Sequence, residues 1–148
     1  MPGVKVRAIR EQLGVVLRGA GFAPSGFHFS RIGSDAGSKV HRSYATHAPS
    51  RRITDRQKTW SQVETTVQVR VLVHRPLEDK EGFVADDVAE QAVNACLFAF
   101  ELAGVGGGLE VGSVSTAVHT ANPQIDVVTV TCSARHTIWT EPVPEVAP

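Results

Sequence analysis

Residues 61–75, SQVETTVQVRVLVHR, alternate with period two. Val63, Thr65, Val67, Val69, Val71 and Val73 share one face, while Gln62, Glu64, Thr66, Gln68, Arg70, Leu72 and His74 share the other. β-Branched residues at every second position mark a half-buried strand. The fourteen steps from Ser61 to Arg75 span about 46 Å in extended form, more than twice an ordinary strand. The chain must therefore build a sheet and cover one face of it with apolar groups. A strand this long also outruns a single core and presents surface to something else. Pro76 ends it.

Two segments supply the cover. Residues 4–20, VKVRAIREQLGVVLRGA, place Val6, Ile9, Leu13, Val16, Leu17 and Ala20 on one helical stripe, with Arg7, Arg10, Glu11 and Arg18 largely elsewhere. Gly14 weakens this helix slightly. Gly21 is its expected stop, with Phe22 folding back onto it. After the charged turn LEDKEGF, Asp86 or Asp87 can cap a second helix over about 87–103. Its stripe runs through Val88, Ala92, Ala95, Cys96, Ala99, Phe100 and Ala103. Leu97, Phe98 and Leu102 make it apolar on more than one side, which suits burial against both the sheet and a neighbour. GVGGG at 104–108 terminates it.

Residues 40–47 read as a first strand, 48–60 as a basic connection, 109–121 as a third strand and 125–139 as a fourth. On the last, Val128, Val130, Cys132, Ala134 and Ile138 share a face with Asp126 and His136. The order is α-β-β-α-β-β. Strands joined by short turns pair antiparallel, so the expected class is α+β, an antiparallel sheet of about four strands packed with two helices. A chain of 148 residues fits one domain, assigned to 1–140. Residues 23–39, rich in Gly, Ser and Pro, are expected to be a mobile loop or irregular edge, and the Pro-rich tail 141–148, EPVPEVAP, to be disordered. Nothing has the run of apolar residues a membrane span needs, and MPGVKVRAIREQL lacks the apolar stretch of a signal peptide. Cys96 and Cys132 lie in separate apolar runs, which suits core hydrophobes in a reducing compartment.

Fifteen cations balance fifteen anions, which argues against a surface given over wholly to nucleic acid. The balance is uneven along the chain. Residues 39–58 carry Lys39, Arg42, Arg51, Arg52, Arg56 and Lys58 against Asp55, a net of +5. Residues 76–101 carry Lys80 against Glu78, Asp79, Glu81, Asp86, Asp87, Glu90 and Glu101, a net of −6. A molecule with a basic first half and an acidic second half can bind copies of itself head to tail. Two solvated faces would look the same.

Catalytic patterns are missing. GVGGG follows a helix and precedes a strand, the reverse of a phosphate-binding loop. The six histidines, His28, His41, His47, His74, His119 and His136, form no zinc spacing. GSVS at 112–115 is not a nucleophile elbow. Asp86 and Asp87 are ordinary helix-start acids. No metal, cofactor or catalytic residue is expected. An enzyme would have to assemble scattered residues such as His74, His136 and Asp126. Residues 39–60 combine cations with Tyr44 and Trp60, as single-strand binders do, but without the aromatic-rich RNA-binding sheet motif.

The layout resembles the tail terminator, or tail completion, proteins of long-tailed bacteriophages. The features that carry the resemblance are the helix VRAIREQLGVVLRGAGF ending in Gly-Phe, the strand pair HRSYATH and VETTVQVRVLVHRPLED with its charged connection, the helix VAEQAVNACLFAF, and a final hairpin ending in VVTVTCSARHTIW. It spans about residues 4–140 and rests on element order and texture. It implies a non-enzymatic virion protein at the tail–neck junction, assembled in the host cytoplasm. Such proteins form a ring, usually of six copies, on the head-proximal end of the tail tube. The ring stops tube polymerisation and receives the head-completion or connector protein, while DNA passes through the lumen without specific binding. The charges available for contacts with self or tube are Arg42, Arg51, Arg52, Arg56 and Lys58, set against Glu78, Asp79, Glu81, Asp86 and Asp87. The rivals are another neck or head–tail adaptor protein, and a small nucleic-acid-binding domain using 39–60.

Overall fold

A computed structural model describes residues 4–25, 40–102 and 109–139. In chain order the elements are α1 (Val6–Gly19), β1 (Ala23–Pro24), β2 (Ser43–Arg56), β3 (Trp60–His74), α2 (Phe83–Leu102), β4 (Leu109–Val118) and β5 (Ile125–Trp139). The sheet order is β1-β2-β3-β5-β4. β2, β3, β5 and β4 pair antiparallel in turn, while the two-residue β1 runs parallel to β2. β3 and β4 therefore point the same way, joined by α2, with β5 inserted between them. The expected α+β class holds. The purely antiparallel four-strand sheet is corrected to a mixed sheet of five, because the chain leaving α1 adds a short strand beside Ser43 and Tyr44. The expected loop at 23–39 thus begins with strand. Its remainder, the GVGGG stop and the tail 141–148 lie outside the described residues.

The period-two reading of β3 is correct residue by residue. Val63, Thr65, Val67, Val69, Val71 and Val73 are all buried. The core gathers under the C-terminal half of β3, where Val67, Val69, Val71 and Val73 meet Ile9, Leu13 and Leu17 of α1, Val88, Ala92 and Cys96 of α2, and Val128, Val130 and Cys132 of β5. Burying one valine side chain stabilises by about 2 kcal/mol. A one-residue slip would turn this whole set to solvent, so the register is strongly fixed. The opposite face carries Gln62, Glu64, Thr66 and Gln68, all half-exposed. Cys96 and Cys132 are free and buried, and the neighbouring Cys132 thiol, with burial, pushes Cys96 up.

β2 departs most from expectation. The segment read as a basic connection is strand as far as Arg56, and the turn is confined to the three residues before Trp60. Two register shifts, between His47 and Ser50 and between Ile53 and Asp55, place extra residues on β2 relative to β3. Each reverses the parity of the residues beyond it, as β-bulges do. Pro49 sits in the first of them, on a side where no other strand pairs among the described residues, so its missing N–H costs nothing.

The end of α1 is a Schellman motif. Gly21 takes φ +93°, its N–H donates to Arg18 O at 3.1 Å, and Phe22 N–H donates to Leu17 O at 3.0 Å. Arg42 completes it. Its guanidinium donates to Ala20 O at 2.9 Å, Gly21 O at 3.3 Å and Gln91 Oε1 at 2.6 Å, and stacks 4.2 Å over Phe22. One cation thus caps α1 and ties it to α2. It does so from a backbone at φ +66°, a region costing a side chain roughly 1–2 kcal/mol. Arg42→Ala should lose about 2 kcal/mol in urea unfolding. Arg42→Gly should lose less, because glycine relieves the φ cost; equal losses would show that the backbone strain is not real.

Candidate interaction site

The sequence-nominated cations separate into two groups. Arg42, half-exposed, is turned onto the end of α1 and bonded there. Arg51, Arg52, Arg56 and Lys58 stand exposed on the distal half of the β2–β3 hairpin. Their faces follow from register. Arg51 lies opposite Thr65, and Arg56 opposite Ser61, so both share the helix-bearing face with Ile53, opposite Val63. Arg52 lies opposite Glu64 on the other face. It reaches Glu64 at 3.4 Å, a carboxylate also approached by Arg135 at 3.5 Å. Exposed pairs of this kind contribute at most about 1 kcal/mol. Among the described residues, Arg51, Arg56 and Lys58 make no hydrogen bond or ion pair.

Beside Arg51 runs a groove of about 790 Å³ between α1 and β2, lined by Arg7, Arg10, Glu11, Arg18, Tyr44 and Thr46. Arg10 is held across it, Nε to Thr46 Oγ1 at 3.0 Å and Nη2 to Thr46 O at 2.6 Å. Arg18 donates to the Tyr44 hydroxyl at 2.9 Å. Arg7 pairs along the helix with Glu11 at 2.8 Å. These three arginines extend the basic surface, and reasoning from sequence missed them. The signal was there, since positions 7, 10, 14 and 18 fall on one helical stripe and Gly14 leaves room for the neighbouring side chains.

The anions lie at the other end of β3. Trp60 and His74 bound that strand, about 46 Å apart at the usual rise. Glu78, Asp79 and Glu81 occupy the connection after it, and Asp86 and Asp87 the start of α2. Asp79 caps α2, Oδ1 accepting from Phe83 N–H at 2.9 Å and Oδ2 from Val84 N–H at 3.0 Å. The Val84 N–H above all holds this carboxyl below its ordinary value. Asp86 and Asp87 were the expected caps, but the helix starts earlier, at Phe83, and leaves them on its surface. Glu78, Glu81, Asp86 and Asp87 are exposed.

The scattered residues an enzyme would need are not brought together. Asp126 pairs with Arg75 at 2.8 Å at the start of β5, half enclosed, with side-chain exposures of 6% and 29%. His74 lies on the opposite sheet face from Asp126, as adjacent positions in the β3–β5 register require. His136 is ten residues along β5, about 33 Å away. Among the described residues no three His, Cys, Asp or Glu side chains could hold a metal ion, and no helix is long and apolar enough to cross a membrane.

His136 has a structural part. Its Nδ1–H donates to Val4 O at 2.8 Å, leaving Nε2 to accept from the Thr65 hydroxyl at 2.7 Å. Val4 N–H in turn donates to Thr137 O at 2.8 Å. The ring clamps the segment leading into α1 onto the distal half of the sheet. Burial lowers its pKa, opposed by the Val4 bond and helped by Arg51. His41 is lowered too, by burial, Arg42 and His74.

No family model and no curated protein matches the chain.

Both imidazoles favour the neutral form when folded. Their contribution is whole above the unfolded value, about pH 6.5, and is lost as pH falls through the lowered folded values. The urea midpoint should therefore drop between pH 8 and pH 5. His136→Gln should flatten that drop, and an unchanged slope would remove His136 from the account.

Proposed function

We propose that the chain is a structural subunit that assembles head to tail into a closed ring, a tail terminator of a long-tailed phage. In this reading it caps the head-proximal end of the tail tube, halts tube polymerisation and receives the head-completion or connector protein at the tail–neck junction, with DNA passing unbound through the lumen. The observation that carries the reading is the separation of charge along β3. A basic hairpin projects at one end of the sheet, and exposed carboxylates cluster about 46 Å away at the other. Opposite patches at opposite ends cannot satisfy each other within one copy. Between copies they make a heterologous contact, which closes into a ring when its rotation allows. The distal half of β2 is exposed and lies beyond the core, as surface kept for assembly would be. The arrangement requires no catalytic group. Another neck or head–tail adaptor would use the same surfaces.

The arginine-lined groove favours a second reading, a nucleic-acid-binding domain, because four guanidinium groups border one channel. Against it, Tyr44 is buried and hydrogen-bonded, so it offers no face for a base to stack on.

The native mass, measured by sedimentation over concentration and salt, tests the proposal. Closed rings of about six copies that weaken as salt rises are expected. Reversing Arg51, Arg52 and Arg56 to Glu should weaken association at least tenfold with the unfolding midpoint nearly unchanged. Association untouched by that reversal would exclude the hairpin from the contact. Monomers at all concentrations, together with DNA affinity that falls steeply with salt, would replace the ring with the nucleic-acid reading.

A further inference from the structure

β2 is an open edge. On its outer side it pairs with β1 only at Ser43 and Tyr44, so among the described residues the strand from His47 to Arg56 has no neighbour there. An open edge offers a row of N–H and C=O groups to an added strand. The hairpin turn determines which residues offer them. Gln57 N–H donates to Trp60 O at 2.8 Å, so Trp60 directs its backbone groups toward β2. Antiparallel pairing alternates strictly, and the β3–β5 register runs unbroken. Gln62 and Glu64 therefore also bond toward β2, while Ser61, Val63 and Thr65 bond toward β5. Their partners on β2 are Arg56, Ile53 and Arg51. These three carry the outward-pointing backbone groups, and they also share a side-chain face. Arg51 and Arg56 are four β3 positions apart, about 13 Å. Ile53 lies between them, 59% exposed.

The chain beyond β5 contains the matching pattern. Glu141, Val143 and Glu145 alternate with Pro142 and Pro144. Extended, the two carboxylates lie on one face four residues apart, about 13 Å, with a valine between them. Residues 141, 143 and 145 would then direct their backbone groups to one side, and both prolines to the other. Proline is tolerated in a strand only where its nitrogen faces away from the pairing partner. Acid, valine, acid thus meets arginine, isoleucine, arginine, and both prolines fall on the solvent side.

We infer that residues 141–145 add as a strand to the open edge of β2 in a second copy, with Glu141 and Glu145 received by Arg51 and Arg56, and Val143 covering Ile53. The inference rests on the reading of the chain as a self-assembling subunit. The copy must be another one. Trp139 pairs with Trp60 on β5, three strand spacings from the position of an added strand, roughly 14 Å. Glu141 follows Trp139 by two residues, which reach about 7 Å at most. The cations also guard this edge. Two β2 edges repel each other, while an acidic strand is drawn in.

The test uses the full chain carrying Glu141→Lys and Glu145→Lys, so that its own tails cannot occupy the edge. A fluorescein-labelled peptide of residues 140–148 is titrated against it by anisotropy. Saturable binding is expected, weakened at least tenfold when Arg51→Glu and Arg56→Glu are added. No saturable binding, or binding indifferent to those arginines, overturns the inference whatever the native mass proves to be. Sedimentation then compares full chains. E141K/E145K and R51E/R56E should each associate at least tenfold more weakly than the unaltered chain, and their equimolar mixture should recover association, since each supplies what the other can hold. Rings that form equally well with E141K/E145K would leave the ring standing and remove the tail from its contact. An unaltered chain that stays monomeric overturns the inter-copy strand even where the free peptide binds, whereas association through Arg51, Arg56 and the tail into dimers or open chains would keep the docked strand and overturn the closed ring.

Discussion

Everything in this fold hangs on β3 being paired along both of its edges at once. It meets β5 over its whole length and β2 over nearly all of it. Its valines are buried because both helices pack on the face they occupy, while the other face buries only a small cluster of Leu72, Ile125 and Val40. The helices are shorter than the strand. They cover its C-terminal half, while the N-terminal half is held by other means: the His136 ring, Thr65, and the backbone of Val4. Among the described residues, the distal sheet thus extends beyond the helices with the outer side of β2 unpaired.

The mismatch between strand length and helix cover organises the electrostatics. Cations gather on the extension, where water screens them and no core has to receive them. Anions gather at the far end, around the start of α2, where the helix dipole favours negative charge. Neither location demands a partner for the protein to fold. Arg42 marks the contrast. It belongs to the same basic run in sequence, yet it is folded into a cap on α1, and its charge serves the junction of two helices.

What was legible in the sequence was whatever repeats with a fixed period. The valines of β3, the stripe of α1 and the inward face of β5 could all be read off, as could Gly21 as the stop of α1. β2 could not be. Pro49 interrupts it, and two bulges each reverse the alternation, so no continuous period survives between Ser43 and Arg56. The start of α2 was misplaced for a different reason. Its cap, Asp79, lies four residues before the first helical residue, and the nearer acids at 86 and 87 imitate the signal. The bonds that Arg42 makes could not be read, because its partners, Ala20, Gly21 and Gln91, are distant in sequence. Of the candidate surface, the hairpin charges were visible in composition. The face each occupies was not, because that depends on the bulges.

Those bulges make the hairpin separable from the rest of the protein in an evolutionary sense. Adding or deleting one residue between His47 and Asp55 would turn every side chain from there to the tip onto the opposite face, while β3, its valines and both helices keep their places. A substitution changes one group at a time. A single-codon length change here would exchange the whole chemical character of one surface for that of the other without disturbing the core. Relatives of this protein could acquire new partners by that route in one step, with folding conserved throughout.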